Sequence, residues 1–248
     1  AYHRDVERAS QAPSTRNDIL SKRFGIPMEG YTLFFTYEET IPHRHKDYTD
    51  LYCTMGADLS QGDDFCSFTF LFPLRGQRFG VKSINFITDK KLESLHESSR
   101  LKYDEFINEG SLIILAGSYL DMDEVYVVLT EEIASRRYLV QTIGYDPYGA
   151  DTISKRWCAD YGEYYVQPVR QGVRTESVPL GELKALSESR ALLFDQEIVK
   201  YAMGNTMVLE DTNGNRKLYK RRYEAKIDPV SALMDAYVSY QRHLEMFD

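Results

Sequence analysis

Three aspartates occupy places where acid chemistry could be assembled. Asp58 lies near the end of the apolar run Tyr52-Cys53-Thr54-Met55-Gly56-Ala57-Asp58-Leu59. Asp146 closes Ile143-Gly144-Tyr145-Asp146-Pro147-Tyr148, and Asp228 stands in Lys226-Ile227-Asp228-Pro229, just before a helical pattern. Each has an ordinary structural explanation. Asp58 can be a solvated strand end, Asp146 can start a turn before Pro147, and Asp228 can cap a helix with Pro229 in its first turn. Alternation puts Asp58 on the same strand face as Thr54 and Gly56. Asp235 falls seven residues after Asp228 on one helical stripe, with Ser231 between, and reads as polar flank or as a second acid at the same place.

Their meaning changes if the fold gathers them. Two carboxylates about 5 Å apart repel by about 3 kcal/mol at an effective dielectric of 20. Three such groups either hold their protons to higher pH or recruit cations. Hard divalent ions with oxygen ligands, Mg2+ or Mn2+, are the natural partners. Two of them could clamp the attacking water and the leaving oxygen of a phosphodiester. No rival chemistry is present: there is no GxSxG, no HExxH, and neither GxxxxGK[ST] nor GxGxxG. Cys53, Cys66 and Cys158 include no CxxC pair and read as reduced thiols. His43 and His45, flanking Arg44, lack the further ligands a zinc site needs.

A second local feature is basic. From Asp211 to Lys226, Arg216, Lys217, Lys220, Arg221, Arg222 and Lys226 stand against Asp211 and Glu224, a balance of +4. The segment leads directly into Asp228. It reads either as an edge strand guarded by charge or as a ribbon contacting phosphates. Four phosphate contacts would give a slope of log K against log salt of about −3.6.

Periodicity supplies the elements that must position these residues. Strand-like runs at Tyr52–Leu59, Phe65–Phe72 and Arg78–Thr88, separated by short turns, predict an antiparallel meander. Helix and strand then alternate. A helix is expected over Lys90–Glu109, a strand over Ser111–Leu115, a helix over Asp121–Arg137 and a strand over Tyr138–Asp146. Further helices are expected at Asp151–Tyr161, Pro179–Glu188 and Asp195–Met203, with a strand at Tyr164–Val169. Asn213-Gly214 predicts a hairpin joining Met207–Glu210 to Lys217–Arg222, and a last helix runs from Pro229 to about Leu244. This order predicts a mixed α/β sheet covered by helices, with Asp58 and Asp146 near the carboxyl ends of strands. Residues 1–47, punctuated by Pro13, Pro27 and Pro42, read as a linker or packing arm with a helix near Thr15–Phe24, and 48–248 as one domain.

The 248 residues carry 38 acids and 30 Lys+Arg, a formal charge of −8. That charge counts against a surface wholly shaped for a polyanion, so a nucleic-acid role must rest on the local ridge or on bound cations. No apolar run reaches the roughly 20 residues that cross a bilayer, and no membrane partner is expected. The opening at Ala1 without Met reads as a piece of a larger protein.

The ordered set Gly56-Ala57-Asp58-Leu59-Ser60, Gly144-Tyr145-Asp146-Pro147-Tyr148 and Lys226-Ile227-Asp228-Pro229-Val230-Ser231-Ala232-Leu233-Met234-Asp235-Ala236 resembles the nuclease domain of tailed-phage large terminase subunits. Thr175-Glu176-Ser177-Val178-Pro179-Leu180, Ala202-Met203-Gly204-Asn205 and 211–217 support the likeness, which runs from about Tyr48 to Tyr240. The resemblance implies a ribonuclease H-like fold, with strands 1–3 antiparallel and further strands parallel. It also implies an endonuclease that cuts concatemeric double-stranded viral DNA in the host bacterial cytoplasm. Asp58, Asp146 and Asp228 would be its catalytic metal ligands, holding two Mg2+ or Mn2+ ions, with Asp235, Asp121 and Asp123 as lesser candidates. Arg216, Lys217, Lys220, Arg221, Arg222 and Lys226 would hold the DNA backbone. Implied partners are an ATPase motor in the same full-length chain, joined through residues 1–47, a portal protein and a small terminase subunit. Two rival readings remain: a resolvase- or transposase-like nuclease of the same fold, and a non-catalytic domain that docks on portal or DNA.

Overall fold

The computed structural model describes residues 31–60, 64–211, 213–219 and 226–247. Strand β1 spans Tyr31–Leu33, β2 Tyr52–Asp58, β3 Cys66–Leu74 and β4 Arg78–Thr88. Helices α1, Asp89–Glu93, and α2, Glu97–Asn108, lead to β5, Leu112–Leu115. Helix α3, Met122–Arg136, precedes β6, Leu139–Tyr145; α4, Asp151–Tyr161, precedes β7, Val166–Pro168. Helix α5, Val173–Glu188, is followed by β8, Leu192–Leu193, and α6, Glu197–Asn205. Strands β9, Met207–Glu210, and β10, Arg216–Tyr219, precede the long α7, Asp228–Arg242.

The main sheet runs β5-β4-β3-β2-β6-β7, with β8 paired to the start of β4. Strands β2, β3 and β4 form the expected antiparallel meander. Strand β6 joins β2 in parallel, β7 joins β6, and β5 joins β4. Helices cover both faces, which is why the central strands read as nearly continuous apolar runs. On one side Met55, Ala57, Phe68, Phe70 and Phe86 pack with Val125 and Leu129 of α3 and with Ile153 and Trp157 of α4. On the other, Leu71, Val81 and Ile87 pack with residues of α2, α5, α6 and α7.

Helix α7 lies directly on β2, β3 and β6. The strand face beneath it carries small side chains. Thr54 Oγ1 donates to the Ala236 carbonyl at 3.4 Å, and Thr69 Oγ1 to the Pro229 carbonyl at 2.9 Å. Gly56 and Gly144 complete this flat seat. A Cβ on Gly56 would stand 1.8 Å from the Ala232 carbonyl oxygen, and one on Gly144 2.3 Å from that of Asp235. Only glycine lets the helix backbone come so close.

Several boundaries differ from the sequence expectation. The helix expected over Lys90–Glu109 is two, because Ser94 takes the Lys91 carbonyl with its hydroxyl and His96 turns extended to start α2. Helix α5 starts at Val173, so Pro179 lies inside it and is buried. The second hairpin arm is described only to Tyr219. The helix expected near Thr15–Phe24 lies outside the described residues. Within residues 31–47, read as a linker or packing arm, β1 pairs with β9, and Phe34 and Phe35 are buried in the core. Strands β1, β9 and β10 thus form a small second sheet. All three cysteines are free, Cys53 and Cys66 buried and Cys158 partly so.

Candidate active site

Two parallel neighbours, β2 and β6, end side by side. Ala57 is in register with Tyr145, and the Asp146 N–H donates to the Ala57 carbonyl at 3.1 Å. After β2 the chain moves to β3 on one side; after β6 it moves through α4 to β7 on the other. Such a divergence opens a crevice beyond the carboxyl ends of the strands. Asp58 and Asp146 stand on its rim. Helix α7, seated on Gly56 and Gly144, brings its first two turns over the same crevice.

The result is a cavity of about 290 Å3 whose walls include Asp58, Asp146, Asp228 and Asp235. Asp64, Glu176 and Ser231 also line it, together with Leu218, Ile227 and Met234. The three aspartates singled out by position thus meet, and Asp235 lies with them inside the wall rather than on the solvent flank. It is 2% exposed, and its Oδ2 has no hydrogen-bond partner among the described residues.

Burial holds the Asp58 carboxyl well above the ordinary carboxylate range, with the charges of Asp228 and Asp146 adding to the effect. A hydrogen bond from Ser231 opposes this. Asp58 itself is only half-buried by surface, because the cavity opens beside it; the surrounding protein still excludes most of the water that would stabilise its charge. Asp235 is shifted the same way, first by burial and then by Asp58 and Asp146. These are hard oxygen donors in mutual repulsion, a donor set suited to Mg2+ or Mn2+ and unsuited to soft metals. Among the described residues no three ligating groups are closed around one point, so the acids line a wall and do not form a preformed cage. Mutual repulsion favours that spread.

The basic ridge is only partly described. Arg216 is exposed, and its Nε pairs with Glu210 Oε2 at 2.8 Å across the hairpin; Lys217 is half-buried. Lys220, Arg221 and Arg222 lie outside the described residues. Lys226, expected to reach DNA phosphates, is instead 4% exposed with its ammonium on Asp64. It balances charge on the cavity wall. Asp121 and Asp123 stand apart from the cavity: Asp121 caps α3 by accepting from the Asp123 N–H at 2.9 Å, and Asp123 pairs with Arg156 at 2.7 Å.

Sequence reasoning passed over Asp64 and Glu176 as members of this wall. Asp64 reads as a turn residue after Gly62-Asp63, and nothing local distinguishes it. Glu176 lies within Thr175-Glu176-Ser177, a stretch that carries family likeness but no local sign of a role.

A mixed sheet of this order, with acids at the carboxyl ends of adjacent central strands and on a helix crossing them, defines a ribonuclease H-like domain. The chain belongs to the family described as "Terminase large subunit, endonuclease domain", whose sequence model matches residues 1–243. The terminase large subunits of Lactococcus phages p2 and SK1 are each 23% identical to it over 240 residues, covering 92% of this chain and 43% of theirs. The chain therefore spans less than half the length of these curated relatives. The crystal structure of the HK97 bacteriophage large terminase has a similar fold, with a TM-score of 0.70 at 20% identity, over 95% of this chain and 49% of that one.

Proposed function

We propose that this domain is a divalent-metal-dependent endonuclease that cuts concatemeric double-stranded viral DNA during genome packaging. The observation that carries the reading is the convergence of Asp58, Asp146, Asp228 and Asp235 on one cavity at the switch point of the sheet. Asp58, Asp146 and Asp228 would hold the metal, most simply two ions, and Asp235 would complete the acidic wall behind them. Bound Mg2+ or Mn2+ would supply Lewis-acid polarisation of the phosphodiester and a more acidic water.

The remaining tasks fall to the chain itself. Ser231 lines the cavity beside Asp58, and its hydroxyl favours the charged form of that carboxyl. Lys226 neutralises Asp64, so the wall carries fewer uncompensated charges. Val169, Leu218, Ile227 and Met234 supply apolar wall that limits bulk water. Arg216 and Lys217, with Lys220, Arg221 and Arg222, would position the DNA backbone without reading its sequence. Residues 1–47, of which β1, Phe34 and Phe35 are built into the domain, would join it to an ATPase motor in the full-length protein, which would work with a portal protein and a small terminase subunit.

Cleavage of supercoiled plasmid in Mn2+, Mg2+ or EDTA, by wild type and Asp58→Ala, tests this reading. Nicking is expected with Mn2+ or Mg2+, to stop in EDTA, and to fall at least about a thousandfold in the variant. Equal nicking by both proteins would remove the assigned site. No nicking by wild type under any condition would favour a docking domain.

A further inference from the structure

Six acids line the cavity, but Glu176 is bonded differently from the four aspartates at its centre. It sits in the first turn of α5, is 4% exposed, and has both carboxylate oxygens occupied by backbone N–H groups. Oε1 accepts from Gly172 at 2.7 Å, at the start of its own helix. Oε2 accepts from Leu218 at 2.8 Å, in the middle of β10. The next residue repeats the contact, since the Arg216 N–H donates to Ser177 Oγ at 3.2 Å.

These two amides have a particular position. Among the described residues, strand β10 pairs with β9 on one edge only. In an antiparallel ladder, alternate residues turn their N–H groups outward. Arg216 and Leu218 are the outward pair, and α5 side chains receive both. An exposed edge would ordinarily be free to slide or to pair elsewhere. Here it is fastened to a helix whose carboxylate also forms part of the acidic cavity. Arg216 and Lys217 are on the fastened strand, and Leu218 lies on the cavity wall.

We infer that Glu176 and Ser177 form a clamp that sets the basic hairpin at a fixed distance from the acidic cavity, making Glu176 a positioning residue for DNA and not a metal ligand. The inference deepens the nuclease reading and rests on it for the identity of the polyanion. The bonding explains why a glutamate serves at this point. One carboxylate offers two charged acceptors, which the shorter Ser177 hydroxyl cannot match. It also explains the early start of α5, whose first turn is tied down through the Gly172 N–H before Pro179 interrupts the backbone bonding.

The test compares wild type with Glu176→Gln, Glu176→Ala and Ser177→Ala in three measurements. Hydrogen exchange over residues 207–219 reads the clamp directly. DNA affinity in EDTA, by fluorescence anisotropy on a duplex, reads positioning without cleavage. Plasmid nicking with Mn2+ reads KM and kcat. For Glu176→Ala, exchange at Arg216 and Leu218 is expected to speed up about tenfold or more, the order set by losing a hydrogen bond to a charged acceptor. Duplex affinity should fall several-fold, and KM should rise by a larger factor than kcat falls. Glu176→Gln keeps one acceptor and should be intermediate. Ser177→Ala should loosen Arg216 alone, and provides a folded variant if Glu176→Ala does not fold.

Unchanged exchange in folded Glu176→Ala or Ser177→Ala would overturn the clamp. Faster exchange with unchanged duplex affinity and KM would overturn the positioning role. A loss of kcat and of Mn2+ affinity in Glu176→Gln, with exchange unaltered, would make Glu176 a ligand. If wild type cuts nothing, the nuclease reading fails on its own assay, while exchange and duplex affinity still decide the clamp.

Discussion

Asp58 and Asp235 face opposite consequences of the same crowding. Without a cation each holds its proton to higher pH than an ordinary carboxyl, because burial and neighbouring acids disfavour the charge. With a cation the same neighbours become co-ligands or supports. Mn2+ at a hundred times its dissociation constant is expected to stabilise wild type by about 2.7 kcal/mol, read as a rise in the unfolding midpoint. Asp58→Asn should lose that rise. Asp235→Asn should keep part of it, with Mn2+ affinity weakened about tenfold, the usual cost of removing a supporting partner. Titration calorimetry checks both, and an unaltered Mn2+ affinity in Asp58→Asn would sink the metal assignment. The three principal aspartates were legible in the sequence because each sits at the end of an element whose type the local pattern reveals. Asp64 and Glu176 were not, since their roles depend on Lys226 and on the Leu218 amide, 162 and 42 residues away.

At the scale of elements, the site depends on how closely α7 approaches the sheet. Gly56→Ala would drive a methyl into the Ala232 carbonyl, and Gly144→Ala one into the Asp235 carbonyl. Both obstacles are backbone, so neither can rotate aside. Each substitution is expected to cost at least about 1–3 kcal/mol, as overpacking does, and to lift the turns that carry Asp228 and Asp235. Urea unfolding measures the first effect and Mn2+ affinity of the folded fraction the second. A Gly56→Ala protein with wild-type stability would show that the helix does not sit as described. Strand and helix order was readable because apolar periodicity survives in β2 to β6 and in α7. The closeness of α7 was not, because a glycine in a strand looks the same whether it faces solvent or a helix backbone. The pairing of β1 with β9 was equally hidden: it joins Tyr31–Leu33 to Met207–Leu209, and short strands this far apart carry no local signal of partnership.

Across the whole molecule, the formal charge of −8 is unevenly placed. Residues 89–137 carry eleven acids against six bases, on α1, α2 and α3 and at their ends, none of which lines the cavity. The stretch 211–226 carries +4 in the sequence, and its strand β10 reaches the cavity wall through Leu218. A further part of the negative charge sits on buried aspartates, and this part depends on pH in a definite sense. Because the folded pKa values of Asp58 and Asp235 are raised, the native state keeps protons that the unfolded chain gives up above about pH 4. Stability from these groups is therefore intact below the unfolded value and falls as pH rises toward the folded one. The metal-free protein should lose stability between pH 5 and 8 by more than Asp235→Asn does, since asparagine has no proton to release. Thermal melts in EDTA at both pH values measure the difference, which should widen as pH increases. Saturating Mn2+ should reverse the trend for wild type, because the ion binds the deprotonated acids and displaces their protons. Calorimetry in two buffers of different ionisation enthalpy then reads the proton release. A stability gap between wild type and Asp235→Asn that stays constant from pH 5 to 8 would mean that Asp235 keeps an ordinary acidity in the folded chain. The acidic wall would then be charged before any metal arrives, and the cavity would have to be wetter than its geometry implies.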